Sequence, residues 1–215
     1  EPIERAGLFM RHMAAEFSLD HPEEAGFSPA SPRARARANY LRMARGWAFD
    51  ADGLEGAVLK GWVESRFGLL PRHHGGPIRD LSGEMYRRYL EQRSAGLYGT
   101  NGMEAQLDLL YTYSQYELGR QRPGETHVTL YRGVNRLSDH EALSEMRQGR
   151  GVMLMNSLTS FTPSRERADE FGDCILEVSV PLAKVFFFHR LLPGMLKGEE
   201  EYVVIGGLYE VSQPG

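Results

Sequence analysis

Cysteine is nearly missing from this chain of 215 residues, which carries only Cys174. That excludes an internal disulfide and a zinc site built from cysteines, and it fits a reducing compartment. No apolar run approaches the roughly 20 residues that a membrane span needs. Positive charge is not in excess: the net charge is −4, so no global basic field recruits nucleic acid. The opening residues Glu1-Pro2-Ile3-Glu4-Arg5 lack the basic and apolar regions of a signal peptide, and no initiator Met precedes them. A soluble, cytoplasmic protein, trimmed at its start, is the expectation. Repeats and low-complexity segments are absent as well. What remains is an ordinary globular composition, 41% hydrophobic and 25% charged, long enough for one large domain or two small ones.

The chain changes character near residue 122. Before it, apolar residues recur at spacings of three and four near 4–17, 33–49, 54–67, 80–95 and 102–120, the signature of helices. Ser31-Pro32 has the order of a helix start, and Asn101 with Glu104 reads as a capping box. After Gln121-Arg122-Pro123-Gly124-Glu125, short runs rich in β-branched and aromatic residues predict strands at 128–131, 151–155, 175–180, 185–188, 202–205 and 208–211. Helices are expected between them at 138–148, capped by Ser138 and Glu141, and at 163–171. A helical half followed by a strand-rich half reads as α+β.

Three constellations stand out. Arg132 follows Val128 and Leu130 on one face of the first strand, placing a planar donor fork at its end, and Gly133 lets a ligand approach the backbone. The string Asn156-Ser157-Leu158-Thr159-Ser160-Phe161 puts the hydroxyls of residues 157 and 159 on one face and that of Ser160 on the other. Gly198-Glu199-Glu200-Glu201 opens the apolar strand Tyr202-Val203-Val204-Ile205. In an extended chain Glu199 and Glu201 point to the same side, where each raises the pKa of the other unless a cation relieves them.

Other features invite no chemistry. His73-His74-Gly75-Gly76 has no carboxylate at metal-ligand spacing and reads as a surface turn. Arg33, Arg35, Arg37, Arg42 and Arg45 spread around a helix and read as a solvated face. Phe186-Phe187-Phe188 reads as a strand packed on both faces. Met195 and Leu191-Leu192 read as core or loop filler, or as an apolar contact for a protein substrate.

Arg on a first strand, Ser-x-Thr/Ser on a later one and Glu-x-Glu before a third occur here in that order. Over residues 126–212 the chain resembles the Arg-Ser-Glu class of mono-ADP-ribosyltransferases. Ser157 through Ala168 resembles the family's Ser-Thr-Ser strand running into a short helix, and 189–198 falls where the family has its substrate-recognition turn-turn loop. The helical half, through Gly61-Trp62-Val63-Glu64-Ser65-Arg66-Phe67-Gly68-Leu69 and Gln106-Leu107-Asp108-Leu109-Leu110-Tyr111, looks like that of the bacterial dinitrogenase reductase ADP-ribosyltransferases.

The resemblance implies a helical N-terminal half packed on a mixed or antiparallel β-sandwich of the ADP-ribosyltransferase type. Residues 1–122 would form a wall of an NAD⁺ cleft and 123–215 the catalytic core, together one compact unit. NAD⁺ is then the co-substrate, and no catalytic metal is implied. Glu201 would stabilise the oxocarbenium-like transition state and Glu199 would orient and deprotonate an acceptor guanidinium. Ser157 would hold Glu201; it is preferred because it keeps serine first in the family string, with Ser160 as the alternative. Arg132, Gly133, Thr159 and Ser160 would line the NAD⁺ site, with Phe161 or Phe171 stacking on nicotinamide. By the same resemblance the protein substrate is the nitrogenase iron protein, modified to switch nitrogen fixation off, and the regulator is a PII signal protein. A silent nucleotide-binding module on the same fold and a toxin with another target are the competing readings. Loss of any of Arg, Ser or Glu would mark the silent module.

Overall fold

The helical periodicity of the first half and the alternation of the second become six helices and six strands among the described residues. The structure is a computed structural model and describes residues 1–26, 38–135, 141–144, 147–196 and 200–213. The helices are α1 (Pro2–Glu16), α2 (Tyr40–Phe49), α3 (Leu54–Phe67), α4 (Glu84–Leu97), α5 (Met103–Gln121) and α6 (Arg165–Asp169). The strands are β1 (His127–Val134), β2 (Glu141–Ala142), β3 (Arg150–Phe161), β4 (Cys174–Pro181), β5 (Val185–Phe188) and β6 (Tyr202–Ser212). The architecture is α+β, and every pairing of these strands is antiparallel.

Contacts divide the chain into two units, Glu1–Tyr113 with Arg190–Leu196, and Ser114–His189 with Lys197–Gly215. The division falls inside α5 rather than at residue 122, and the segment before the acidic residues belongs to the helical unit.

In the helical unit, α3 is buried along Gly56–Val63. Asp108 of α5 accepts from Trp62 Nε1 at 2.8 Å and from Arg66 Nε and Nη2 at 2.7 and 2.8 Å, a bidentate clasp between two helices. Asn39 caps α2 by accepting from the Arg42 amide at 3.0 Å, and Gln106 takes the amide of Tyr40 at 3.0 Å. The capping box expected at Asn101 does not form. Asn101 donates instead to the Phe17 carbonyl at 2.7 Å, and Glu104 faces Arg66. The helix start at Ser31-Pro32 lies outside the described residues. Leu191, Leu192, Met195 and Leu196 are buried, so they fill a core rather than face a partner, and Arg45 Nε donates to the Gly194 carbonyl at 2.9 Å.

His74 corrects another expectation. It is fully buried, not on a surface turn. Lys60, also buried, donates to Asp52 Oδ1 at 2.7 Å and to the His73 carbonyl at 3.0 Å, and its Nζ lies 3.2 Å from His74 Nδ1. Three acceptors around one ammonium satisfy its three protons, which is how a buried lysine is tolerated.

In the strand-rich unit the sheet order is β1-β4-β6-β3-β2, with β5 pairing β6. The runs 202–205 and 208–211, expected as two strands, form the single strand β6 through Gly206-Gly207. A β-bulge between Met155 and Leu158 adds one residue to β3 opposite that glycine pair. Gly206 is required there, because a Cβ would lie 1.7 Å from the Asn156 carbonyl oxygen. Part of the helix expected over 138–148 lies outside the described residues. Its described part contains strand β2, which pairs with Met153–Leu154. The Phe186–Phe188 run is buried throughout, as a strand covered on both faces should be. Gln115 of α5 braces its start, donating to the carbonyls of Leu182 and Val185 at 3.1 and 2.7 Å.

Candidate active site

Three strands bring Arg132, Ser160 and Glu201 together. Along β1 Val128, Leu130 and Val134 are buried, and Arg132 continues that face half-buried. The end of β1 also meets the end of β3: the Tyr131 amide donates to the Thr162 carbonyl at 2.7 Å and the Thr162 amide returns the bond at 2.9 Å. This places Arg132 beside the last residues of β3. Its Nη1 donates to the Ser160 carbonyl at 2.8 Å, and among the described residues its buried Nε has no hydrogen-bond partner. Burial pushes the guanidinium pKa below its ordinary value, while the negative charge of Glu201 pulls it back up.

Strand parity decides which hydroxyl reaches the carboxylate. Ser160 is paired with Val203 and Phe161 with Tyr202. Residues directly opposite in a ladder share a face, so Ser160 shares a face with Val203 and with Glu201 two residues before it. The Ser160 hydroxyl accordingly donates to Glu201 Oε1 at 2.5 Å. The preference for Ser157 therefore meets the opposite geometry. Ser157 is buried, and its Oγ has no hydrogen-bond partner among the described residues. Thr159, expected at the NAD⁺ site, is buried and bonds the Asn156 carbonyl at 3.3 Å. The order of residues in the string favoured Ser157; the pairing of β3 with β6 favours Ser160.

Ser160 thus offers two groups at once. Its carbonyl takes the arginine and its hydroxyl takes the glutamate. Glu201 is 93% shielded, with a relative exposure of 7%. A carboxylate in that position is stabilised by a charge-assisted hydrogen bond and by the charge of the Arg132 guanidinium.

The remaining candidates separate. Glu199 lies outside the described residues. Gly133 is explained by packing: a Cβ there would sit 1.9 Å from the Ala168 carbonyl oxygen of α6. The absence of a side chain at this position is required by the packing of the helix. Phe161 is buried opposite Tyr202, on the face away from Ser160, whereas Phe171, just after α6, is 57% exposed. Of the two proposed stacking rings, Phe171 is the accessible one. Sequence reasoning overlooked His189, whose amide donates to the Glu201 carbonyl at 2.7 Å. The alternation of the Phe run could have signalled it. Among the described residues no group of three metal-ligating side chains occurs, and no helix is long and apolar enough to cross a membrane.

Residues 1–213 match the family model described as dinitrogenase reductase ADP-ribosyltransferase. The chain belongs to this family. A relative from Rhodospirillum rubrum, named NAD(+)–dinitrogen-reductase ADP-D-ribosyltransferase, is 44% identical over 214 residues, covering 97% of this chain and 77% of the relative. No solved structure matches the chain. As a member of the dinitrogenase reductase ADP-ribosyltransferase family it is an enzyme, a transferase that uses NAD⁺ as co-substrate. Of the residues that the resemblance pointed to, Arg132 and Glu201 meet at Ser160, the alternative to the preferred Ser157.

Proposed function

We propose that this protein cleaves NAD⁺ and passes ADP-ribose to an arginine of the nitrogenase iron protein, inactivating it. The observation that carries the site assignment is the Ser160 hydroxyl 2.5 Å from Glu201 Oε1, with Arg132 bound to the carbonyl of the same serine. The family membership and the name of the relative support the substrate. The antiparallel sheet with this order of Arg, Ser and Glu supports a β-core of the ADP-ribosyltransferase type.

The reaction breaks the bond between ribose C1′ and the nicotinamide nitrogen, and the bonding pair leaves with nicotinamide. Glu201 accepts a hydrogen bond from the ribose 2′-hydroxyl and faces the oxocarbenium-like carbon as positive charge grows. Ser160 fixes the carboxylate. Arg132 contributes its buried fork on the phosphate side, and Phe171 stacks against nicotinamide. A nitrogen of the acceptor guanidinium then bonds C1′. With an ordinary pKa above about 12, that guanidinium is not deprotonated beforehand. Glu199 holds it in line and takes its proton as the new bond forms. No step calls for a metal. A cytoplasmic location and control by a PII signal protein accompany this reading.

The deciding experiment supplies NAD⁺ labelled in the adenylate, with and without purified nitrogenase iron protein. The expected result is label on an arginine of the iron protein and stoichiometric release of nicotinamide. Release of nicotinamide without labelled protein would leave an NAD⁺ glycohydrolase with another acceptor, and absence of both would remove the enzyme reading.

A further inference from the structure

We infer that His189 is a positioning residue for Glu201, holding the carboxylate from the strand edge opposite the one that Ser160 occupies. This rests on the reading of Glu201 as the carboxylate of ADP-ribosyl transfer. Residues 202–203 of β6 lie between two strands: β3 pairs there through Phe161 and Ser160, and β5 through Phe188 and Phe187. The amide of His189 donates to the Glu201 carbonyl at 2.7 Å, which carries the β5–β6 ladder one step past the ends of both strands.

The faces follow from the pair before it. Phe188 stands opposite Tyr202, and their rings stack with centroids 5.5 Å apart and planes 19° from parallel. That pair therefore shares one face. By alternation the next pair, His189 and Glu201, shares the other. The Ser160 bond places Glu201 on that other face independently, because Ser160 and Phe161 also point to opposite sides. Directly opposed residues have Cβ atoms about 4.5–5.5 Å apart, within the reach of an imidazole.

The backbone fits a constrained position. Arg190, the next residue, has a left-handed φ of +65°, so the chain turns away immediately after His189. A non-glycine residue takes up that conformation only where its surroundings hold it there. His189 Nδ1 is shielded from solvent. Each carboxylate oxygen has two acceptor sites, so an imidazole N–H turned to Glu201 beside the Ser160 donor would still leave room for a ribose hydroxyl.

The test uses the full chain and two variants that keep the amide bonded to Glu201. His189→Leu removes the donor at similar bulk, and His189→Gln restores a donor. Steady-state NAD⁺ cleavage is measured for each, with the melting temperature as a control for folding. His189→Leu is expected to lower kcat on the order of 10–100-fold, as a misplaced catalytic group does, while KM for NAD⁺ changes less than about twofold. His189→Gln is expected to recover most of the lost kcat at the same KM. Should the leucine variant not fold, His189→Met takes its place in the comparison. A folded leucine or methionine variant with wild-type kcat would overturn the inference. So would a defect confined to KM, or equal impairment by Gln and Leu. Failure of the wild-type protein to cleave NAD⁺ would overturn the reading of Glu201 itself, a result distinct from any of these.

Discussion

At the scale of single residues, the site turns on which hydroxyl meets Glu201. A side-chain hydrogen bond to a charged group contributes about 1.5–3 kcal/mol, and if that bond persists into the transition state its loss costs roughly 10- to 100-fold in rate. Ser160→Ala should therefore lower turnover by about that factor. Ser157→Ala should leave turnover near wild type, since its buried Oγ has no partner to lose. Rates of nicotinamide release for the two variants decide the matter, and the reverse ranking would return the role to Ser157. The acidic residues divide differently. Glu201→Gln should abolish both NAD⁺ hydrolysis and transfer, whereas Glu199→Gln should abolish transfer and spare hydrolysis. Equal transfer by Glu199→Gln and wild type, measured with labelled NAD⁺ and the iron protein, would remove Glu199 from the acceptor step. Arg132 was legible in the sequence as a charge that continues the buried face of its strand, and Glu201 as a charge where a loop meets a strand, places where a charged group needs a reason. Ser160 was only half legible. Its role depends on register with β6, which no reading of β3 alone contains.

At the scale of elements, periodicity located α3 at its observed bounds and most other helices within a few residues. It failed where local chemistry was ambiguous. Asn101 and Glu104 have the spacing of a capping box, but both side chains find tertiary partners in Phe17 and Arg66. Gly206-Gly207 looked like a break and is instead the close approach that admits the β3 bulge. Gly133 carries a constraint that its own strand does not reveal: its crowding comes from α6. Its substitution follows from that crowding. In Gly133→Ala the new Cβ meets backbone atoms, the Ala168 oxygen at 1.9 Å and the Gly172 nitrogen at 3.0 Å, and neither can swing aside. Either α6 or β1 must shift, at a cost of about 1–3 kcal/mol typical of overpacking. Gly119 in α5 provides the contrast, since a Cβ there meets nothing within 4 Å. Gly119→Ala should stabilise by about 0.5–1 kcal/mol through helix propensity. Urea midpoints should therefore move in opposite directions for the two variants, and a neutral Gly133→Ala would mean that α6 is free to move.

At the scale of the whole molecule, the buried polar cluster of the helical unit ties folding to pH. Burial lowers the His74 pKa below 6.5. Its bond to Gln92 opposes that shift, and the charge of Lys60 reinforces it. The geometry agrees: Nδ1 faces the Lys60 ammonium at 3.2 Å and must accept, so Nε2 carries the proton that Gln92 Oε1 receives. Asp52 stabilises the same cluster. Burial raises its pKa, but the bond and charge of Lys60 outweigh burial and leave the carboxyl below its ordinary value. Asp52 therefore contributes in its charged form, with its stabilisation lost only at acid pH. His74 acts earlier. In the unfolded chain it titrates near 6.5, whereas in the folded chain it resists protonation until lower pH. Between those two values the unfolded state binds more protons, so stability is complete above the unfolded pKa and declines as pH falls through that window. One proton limits this decline to about 1.4 kcal/mol per pH unit. Chemical denaturation between neutral and mildly acid pH should show the slope, and an NMR titration should give His74 a pKa below that of a free histidine. His74→Gln, which keeps an acceptor for Lys60 and cannot titrate, should flatten the slope over the same range. A His74 pKa at or above the free value, or an unchanged slope in His74→Gln, would place the acid sensitivity elsewhere in the molecule.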